Sequence, residues 1–354
     1  MQTAGRRQRV GVLGAGIIGL STAVHILEKT QAEYGQGASA VEVTIIADRF
    51  SPHTTSDGSG GFWEPYQLCD TPVEKIRKWS EVTWLHMLEL STSPVAKEVA
   101  TQLVSGYTLY TDGLPEHPFW KDTVLGFRDL TPEELKLFPF ARWGFFNTTV
   151  QMDVKYYMNW LMRRFKERGG KVEFRTIKCL DEVKDQFDVI VNCFGVRAGQ
   201  LVNDSKVMPL RGQLYRVKAP WIKHFYFVFS KEKPATHIFP LGDLVVVGGV
   251  VQEGNWNENV DRADSQDIWN RVTEFFPFIQ NADVVNQWAG LRPGRTEVRL
   301  EAEVIAASDG KQIPVIHNYG HGGSGVTLHW GCAEDASALV LKHLKPLQTA
   351  SSKL

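Results

Sequence analysis

Three glycines near the start of the chain have the spacing of a dinucleotide-binding loop. Gly14, Gly16 and Gly19 follow the apolar residues 10–13 and begin a second apolar run with the character of a helix. In such a loop the first glycine permits a tight turn, the second lets the backbone approach a pyrophosphate, and the third lets helix and strand pack closely. The free N–H groups of the helix N-terminus favour the phosphate charge. The spacing therefore predicts a phosphate site made of backbone groups.

The segment after this helix supplies the context that a lone glycine motif lacks. Residues 41–46 indicate a buried strand, and Asp48 and Arg49 stand at its end. An acidic residue at the tip of the second strand of a βαβ unit can bind a ribose hydroxyl. These residues predict a dinucleotide site and leave NAD and FAD as alternatives. A glycine-rich turn without a ligand is the other alternative.

The composition excludes several other kinds of function. The chain has 354 residues, of which 43% are hydrophobic, and this is enough for two packed cores. A net charge of −1 gives no general attraction to nucleic acid. The four cysteines have no CxxC or Cys/His spacing, so we expect neither a metal site nor disulfides. No apolar stretch reaches membrane-spanning length, and we expect no membrane partner.

The other segments alternate between helix and strand patterns. Residues 71–90 and 153–168 have helical spacing, and residues 188–195 indicate a buried parallel strand that rejoins the first sheet. Residues 210–249 indicate antiparallel strands separated by turns, and the small polar residues 51–61 suit a loop around a cofactor. We predict an α/β fold in which a Rossmann-like nucleotide domain is interleaved with a mixed, largely antiparallel domain. A ligand site is expected between the two domains.

The chain is expected to cross between these domains more than once. The nucleotide domain is predicted to comprise residues 1–62, 150–205 and 300–346, and the substrate-binding domain residues 63–149 and 206–299. Residues 347–354 form a tail that ends in Ser352, Lys353 and Leu354. This is the tripeptide that peroxisomal import receptors bind, so we expect that receptor as a partner and the peroxisomal matrix as the location. An ordinary frayed tail is the alternative.

A second glycine-rich segment carries a family resemblance. Residues 315–325 have the sequence Val-Ile-His-Asn-Tyr-Gly-His-Gly-Gly-Ser-Gly, and Gly331-Cys332-Ala333 follow after five further residues. This segment resembles the signature of the D-amino-acid oxidase family, which includes D-aspartate oxidases. Residues 47–50, 211–213, 249–256 and 290–301 also resemble that family, so the resemblance covers nearly the whole chain.

The resemblance implies a flavoenzyme that holds FAD non-covalently at the interface of the two domains. A glycine-rich turn before a helix can present backbone N–H groups to a flavin carbonyl, and glycines needed only for helix packing are the alternative. The residues expected to contact FAD are Gly14, Ala15, Gly16, Ile17, Ile18, Gly19, Asp48, Arg49, Thr54, Thr55, Ser56, Gly60, Gly61, Gly322, Gly323, Gly325, Val326 and Thr327.

The reaction implied by the resemblance is oxidative deamination of a D-amino acid to a 2-oxo acid, ammonia and hydrogen peroxide. The α-hydrogen leaves as hydride, the imino acid hydrolyses, and oxygen takes the electrons. Arg295 is expected to bind the substrate carboxylate through two parallel hydrogen bonds, with a surface ion pair to Glu297 as the alternative. Tyr66, Trp63 and Gly323 are expected to line the pocket, and ordinary core packing is the alternative for the two aromatic residues. His237 stands where the family usually has a tyrosine, and a second carboxylate contact and a structural role are both open for it.

Specificity within the family is decided by basic residues. D-aspartate oxidases have arginines at positions matching Phe227 and Val251, and neither position is basic here. We therefore expect neutral and aromatic D-amino acids, with D-aspartate as the alternative if Lys231 or Lys233 reaches the pocket. Tyr226 is the candidate for a lid tyrosine. More distant alternatives are a non-catalytic flavin or D-amino-acid binding protein and an NAD-dependent dehydrogenase. The oligomeric state stays open, a homodimer included.

Overall fold

The structure is a computed structural model that describes residues 7–34, 41–113 and 115–344. The tripeptide at residues 352–354 lies outside these ranges. The strands are β1 (Gln8–Leu13), β2 (Val41–Ala47), β3 (Thr101–Tyr110), β4 (Leu125–Asp129), β5 (Trp143–Met152), β6 (Lys171–Phe174), β7 (Val189–Asn192), β8 (Met208–Lys218), β9 (Phe225–Phe229), β10 (Thr236–Leu241), β11 (Leu244–Gly248), β12 (Gln252–Glu253), β13 (Asp283–Gly294), β14 (Arg299–Ala306) and β15 (Gln312–Tyr319). The helices are α1 (Ile17–Tyr34), α2 (Val73–Thr92), α3 (Ala96–Val99), α4 (Pro132–Leu135), α5 (Val154–Glu167), α6 (Ala198–Leu201), α7 (Arg262–Phe275) and α8 (Gly325–His343).

The first sheet has six strands among the described residues, in the order β14-β15-β7-β1-β2-β6. Strand β1 lies parallel to β2 on one side and to β7 on the other, and β7 lies parallel to β15. Val12, Ile45 and Val191 on the central strands are fully buried, as is typical of apolar parallel strands with both faces covered. The predicted return of residues 188–195 to the first sheet is confirmed.

Helices α1, α5 and α8 pack together and share one apolar core with the first sheet. Helix α5 begins after Asp153, whose carboxylate accepts a hydrogen bond from the Lys155 N–H at 3.1 Å, and it ends just before Gly169. Helix α2 follows Pro72 and packs on α8. The helices predicted at residues 71–90 and 153–168 are confirmed, with ends shifted by one or two residues.

Three histidines lie where these helices meet. The Tyr157 hydroxyl is 2.9 Å from Nε2 of His86 and 2.9 Å from Nε2 of His329. The Trp330 indole stacks on the His86 ring with centroids 3.7 Å apart. The His25 ring contacts the same indole, with centroids 4.2 Å apart. Burial is the main cause that lowers the pKa of His25 to about 3, that of His86 to about 2 and that of His329 to about 4. All three imidazoles are therefore neutral at physiological pH.

The second sheet, again counted over the described residues, has nine strands in the order β12-β8-β11-β10-β9-β3-β5-β4, and β13 also pairs with β8. Most neighbours are antiparallel, while β3 and β9 are parallel. Helix α7 packs on β8, β10 and β11 above a second apolar core. The antiparallel strands predicted within residues 210–249 are confirmed. None of the helices in the described ranges is long and apolar enough to cross a membrane.

Candidate active site

A cavity lies at the carboxyl ends of β1, β2, β7 and β15, which is the edge where parallel α/β sheets bind ligands. The second sheet contributes its other wall. The loop at residues 54–66 and the turn before α8 complete the lining. The residues that line it from the second sheet are Gln213, Leu214, Phe227, His237, Phe239, Trp288, Leu291, Arg292 and Pro293.

The glycine loop has the backbone geometry that its spacing predicts. Gly14 has a φ of 107°, and a Cβ at this position would overlap the Cys193 carbonyl, so only glycine fits the turn. Gly16 lines the cavity. The Ile17 N–H at the start of α1 donates a hydrogen bond to the Ser56 Oγ at 3.1 Å. The loop at residues 51–61 is thereby fixed to the N-terminus of α1.

Two charged residues at the end of β2 line the far end of the cavity, and each has an ion-pair partner. The Asp48 carboxylate accepts a hydrogen bond from Arg197 at 2.9 Å. The Arg49 guanidinium pairs with Glu258 at 2.6 Å, and Glu258 also lines the cavity. The predicted positions of Asp48 and Arg49 beside the glycine loop agree with this arrangement.

The second glycine-rich turn is tied to the segment that carries Tyr66. The Ser324 Oγ accepts a hydrogen bond from the Tyr66 N–H at 2.6 Å and donates one to the Tyr66 carbonyl at 2.5 Å. A Cβ on Gly325 at the start of α8 would meet no atom within 4 Å, so this position faces open cavity. A Cβ on Gly323 would lie 3.0 Å from the Tyr66 ring. Glycine at this turn therefore leaves room both for a ligand and for the Tyr66 side chain.

Most residues expected to contact FAD line the cavity, and three do not: Gly19, Gly61 and Thr327. Gly19 packs against the Gly14 carbonyl, where a Cβ would clash. The Gly61 carbonyl accepts a hydrogen bond from the Met152 N–H at 3.0 Å. The Thr327 Oγ1 donates a hydrogen bond to a backbone carbonyl of the 54–66 loop at 2.9 Å. These three residues shape the walls behind the cavity surface.

The lining contains buried polar atoms that have no partner within the described part of the chain. They are the Oδ1 of Asn318 and both ring nitrogens of His321. Unpaired buried polar groups are costly, and such groups at a cavity surface indicate hydrogen bonds to a ligand. A dinucleotide has hydrogen-bonding groups along its whole length. The cavity lining therefore fits FAD.

The structure does not bring Arg295 to the cavity. Its Nε donates a hydrogen bond to the Asp204 carboxylate at 2.8 Å, and another nitrogen donates one to the Glu297 carbonyl at 2.9 Å. The side chains of Arg295 and Asp204 are 9% and 8% exposed, so this is a buried ion pair. The expected carboxylate contact at Arg295 is not compatible with this geometry, because Arg295 lies outside the lining and is bound to Asp204 and to the Glu297 carbonyl.

Arg292, three residues earlier in the chain, lines the cavity from the second sheet. Its Nη1 donates a hydrogen bond to the Val250 carbonyl at 3.2 Å, and no carboxylate among the described residues forms an ion pair with it. Burial lowers the pKa of the Arg292 guanidinium, which nevertheless stays charged. On the paired strand β8, a Cβ at Gly212 would overlap that guanidinium. Glycine at this position makes the space in which Arg292 lies.

His237 and Tyr66 line the cavity as expected. Trp63 does not, because it is fully buried in the first apolar core. The His237 ring stacks on Phe239 with centroids 4.5 Å apart, and Gly248 on the neighbouring strand leaves room for it. Burial, followed by the charges of Arg292 and another nearby arginine, lowers the pKa of His237 to about 3. The imidazole is therefore neutral, and the cationic form considered from the sequence is excluded above about pH 3. Burial also raises the pKa of the Tyr66 phenol.

Several expected specificity residues lie away from the cavity. Val251 is 37% exposed and is not part of the lining, whereas Phe227 is. Lys233 pairs with Glu274 at 2.6 Å, and Lys231 is also outside the lining. Tyr226 packs in the second apolar core, so it is not a lid residue. The positions of these side chains depend on strand pairing, which the sequence does not reveal.

The sequence analysis missed Glu64, whose side chain lines the cavity. The Glu64 carbonyl accepts a hydrogen bond from the Thr327 Oγ1 at 2.9 Å, and its N–H contacts the same oxygen at 3.2 Å. No hydrogen bond or ion pair to its carboxyl group occurs within residues 7–34, 41–113 and 115–344. Burial raises the pKa of Glu64 to about 8. Its position two residues before Tyr66 was the available signal.

Comparisons with known proteins agree with this geometry. The family described as FAD dependent oxidoreductase matches residues 9–339. Human D-aspartate oxidase is 39% identical over 346 residues, which cover 98% of each chain. The D-amino-acid oxidase of Rubrobacter xylanophilus is 37% identical over 94% of this chain and 95% of its own. The solved glycine oxidase from Geobacillus kaustophilus has the same fold, with a TM-score of 0.73 at 17% identity and 96% coverage of both chains. The chain belongs to the family of FAD-dependent oxidoreductases, and its cofactor is FAD.

Proposed function

We propose that this protein catalyses oxidative deamination of D-amino acids to 2-oxo acids, ammonia and hydrogen peroxide. The observation that carries this proposal is Arg292, a charged guanidinium at the wall of the FAD cavity that forms no ion pair with a carboxylate in the described part of the chain. A free guanidinium binds a carboxylate through two parallel hydrogen bonds and so fixes the orientation of an amino acid. The curated relatives above are named for D-aspartate and D-amino acids, which supports the D enantiomer.

In this proposal Arg292 takes the role that the sequence analysis gave to Arg295. The neutral imidazole of His237 and the protonated phenol of Tyr66 each have a hydrogen-bond donor for the same carboxylate or for the amine. The aromatic rings of Phe227 and Trp288 exclude water from this end of the cavity. When bound, FAD supplies two-electron oxidation of the C–N bond, with oxygen as the final acceptor. The protein contributes binding and orientation.

We also propose that the two sheets mark the two domains. Strands β3 to β5 and β8 to β13 would form the substrate-binding part, which lies within the expected residues 63–149 and 206–299 except that β5 continues to Met152. The remaining segments, 1–62, 150–205 and 300–346, would form the FAD-binding part. Helix α2 is the element that joins them, because it lies in the first of the substrate segments and packs on α8.

The decisive experiment is a spectrum of the purified holoenzyme under nitrogen. We expect flavin absorption near about 450 nm to bleach on addition of D-amino acids and to stay unchanged with the L enantiomers. Air should restore the absorption and produce hydrogen peroxide. A flavin spectrum that shifts without bleaching would indicate a binding protein, and a colourless protein that binds NADH would indicate a dehydrogenase.

Peroxisomal import through Ser352, Lys353 and Leu354 is a separate proposal that rests on the sequence. The tripeptide acts as an address only at a free C-terminus. Removing the three residues should leave kcat/KM unchanged and move the enzyme out of the peroxisomal fraction. An unchanged distribution between fractions would contradict this proposal.

A further inference from the structure

Glu64 is a cavity-facing carboxyl group that the proposed chemistry does not use. Its backbone is fixed on both sides, through Thr327 to α8 and through the Tyr66 backbone to Ser324. The proline at position 65 between these two contacts restricts the chain further. The Glu64 side chain therefore projects from a rigid segment toward the ligand space.

The carboxyl group has no counter-charge of its own. Within the described ranges no basic side chain forms an ion pair with it, in contrast to Asp48 and Glu258, the other carboxylates of the lining. An ionised carboxylate without a partner is costly in a buried site, and its raised pKa of about 8 expresses this cost. A ligand that brings a positive charge would remove the cost.

The charges of Glu64 and Arg292 both affect the pKa of Tyr66. The charge of Arg292 lowers the pKa of Tyr66 and the charge of Glu64 raises it, although burial is the largest influence. Both groups thus lie within electrostatic range of the Tyr66 phenol without forming an ion pair with each other. When the α-carboxylate of a substrate binds Arg292, Glu64 is the acidic group that its side chain can contact.

Aromatic residues line the cavity as well. Tyr66, Phe227, Phe239 and Trp288 belong to the lining, and the ring centroids of Tyr66 and Phe227 are 5.8 Å apart. Aromatic faces attract guanidinium and ammonium groups, and the attraction grows when the cation is desolvated. No lysine or arginine other than Arg292 lines the cavity from the second sheet, within the residues described. The part of the cavity that would hold the substrate side chain is therefore suited to a cation and unsuited to a second carboxylate.

We propose that Glu64 selects D-amino acids with a cationic side chain, such as D-arginine and D-lysine, by forming an ion pair with the side-chain cation. This inference deepens the proposed function and rests on it. It replaces the expected preference for neutral and aromatic side chains, and it disfavours D-aspartate, whose side-chain carboxylate would place a second acidic group beside Glu64.

The test compares substrates that match in shape and differ in charge. D-arginine is paired with D-citrulline, and D-lysine with D-norleucine. We expect the wild-type enzyme to have a kcat/KM for each cation at least about tenfold above that for its neutral partner. In Glu64→Gln that ratio should fall by about tenfold or more, while kcat/KM for D-citrulline changes by less than about threefold.

Glu258→Gln is the matched control, because it removes a cavity carboxylate that already has Arg49 as its partner. It should leave the ratio of D-arginine to D-citrulline unchanged. Melting temperature and FAD content are measured for both variants. If Glu64→Gln does not retain FAD, the wild-type ratio alone decides, and a ratio near one overturns the proposal. An equal loss for D-arginine and D-citrulline in Glu64→Gln also overturns it.

The pH dependence of the same ratio is a second readout. Arg292 stays cationic, His237 is neutral above about pH 3, and the raised pKa of Tyr66 keeps it protonated, so Glu64 is the cavity group that titrates near neutrality. The ratio should therefore rise as the pH is raised toward 8. If no D-amino acid is oxidised, the proposed function fails. The role of Glu64 is then tested by binding: D-arginine should raise the melting temperature of the holoenzyme more than D-citrulline does, and an equal rise overturns the role of Glu64.

Discussion

Arg292 and Arg295 stand three positions apart and have opposite surroundings. Arg292 faces the cavity and lacks a carboxylate partner among the described residues, while Arg295 is bound to Asp204 and to the Glu297 carbonyl. A guanidinium with a buried partner stabilises the fold, whereas one without such a partner is available for a substrate. The same side-chain chemistry thus serves two different purposes within one short segment.

The two arginines should respond differently to the same substitution. Arg292→Leu should retain FAD and lose about a hundredfold in kcat/KM, about 2.7 kcal/mol, because the carboxylate contact is gone. Arg295→Leu should keep kcat/KM of the folded holoenzyme within about threefold. Its free energy of unfolding should fall by about 2 kcal/mol, because Asp204 loses its charge-assisted hydrogen bond to Arg295 and keeps the Tyr319 hydroxyl at 2.8 Å and Arg299 at 4.0 Å. An equal loss of kcat/KM in both FAD-containing variants would restore Arg295 as the substrate contact.

At the scale of elements, strand β8 positions the Arg292 side chain from the neighbouring strand. Gly212 leaves the space that the guanidinium occupies, and the register of β13 against β8 sets which side chain enters that space. Glycine in a strand often marks such a close approach by another group. The substrate contact is therefore a property of two paired strands.

Gly212→Ala should displace the Arg292 guanidinium. We expect kcat/KM to fall about tenfold with FAD retained, since the added methyl group moves the carboxylate contact without removing it. The control is the double variant with Arg292→Leu. It should be no less active than Arg292→Leu alone, because the two changes act on one interaction. Additive losses would show that Gly212 acts through something other than Arg292.

Local patterns predicted much of this architecture. Thr131-Pro132-Glu133-Glu134 has the sequence of a capping box. In the structure the Thr131 Oγ1 accepts a hydrogen bond from the Glu134 N–H at 3.2 Å, and the Glu134 carboxylate accepts one from the Thr131 N–H at 2.9 Å. Glycine spacing and apolar periodicity likewise predicted the βαβ unit and the strand at residues 188–195. These features depend on residues close in sequence or on strong apolar patterns.

Side-chain orientation was the part that local patterns could not predict. Choosing Arg292 over Arg295 required the register of β13 against β8, and placing Val251 required the path of the chain after β11. Glu64 had no recognisable spacing with another charged residue, because its significance comes from a cavity built by distant segments. Long-range pairing decided each of these positions.

At the scale of the whole molecule, the neutral histidines among α1, α2 and α8 make stability depend on pH. The pKa values of His25, His86 and His329 lie below the usual value of 6.5. Because the unfolded chain binds these protons more readily, the contribution is fully present above pH 6.5 and is lost as the pH falls. At pH 5 the loss is about 2 kcal/mol for each histidine.

His86→Gln should reduce the loss of unfolding free energy at acidic pH. Glutamine can still hydrogen-bond to the Tyr157 hydroxyl but has no titration, so the fall in unfolding free energy between pH 6.5 and 5 should shrink by about 2 kcal/mol. Urea unfolding at several pH values measures it. His53→Gln is the control, because His53 is exposed and should leave the slope unchanged. An unchanged slope in His86→Gln would show that other groups cause the acid sensitivity.

The strand order of the first sheet has a consequence for biosynthesis. Strand β15 pairs with β7, α8 packs on α1, and Ser324 binds the Tyr66 backbone, so elements near the end of the chain complete a site begun at Gly14. A ribosome-bound chain that stops before residue 312 has the glycine loop and the second sheet but lacks β15 and the turn before α8. Its β7 edge and the apolar face of α1 remain uncovered, which exposes them to chaperones and to association with other nascent chains. We expect arrested chains of that length to retain no FAD by flavin fluorescence, which makes cofactor uptake an event that follows translation.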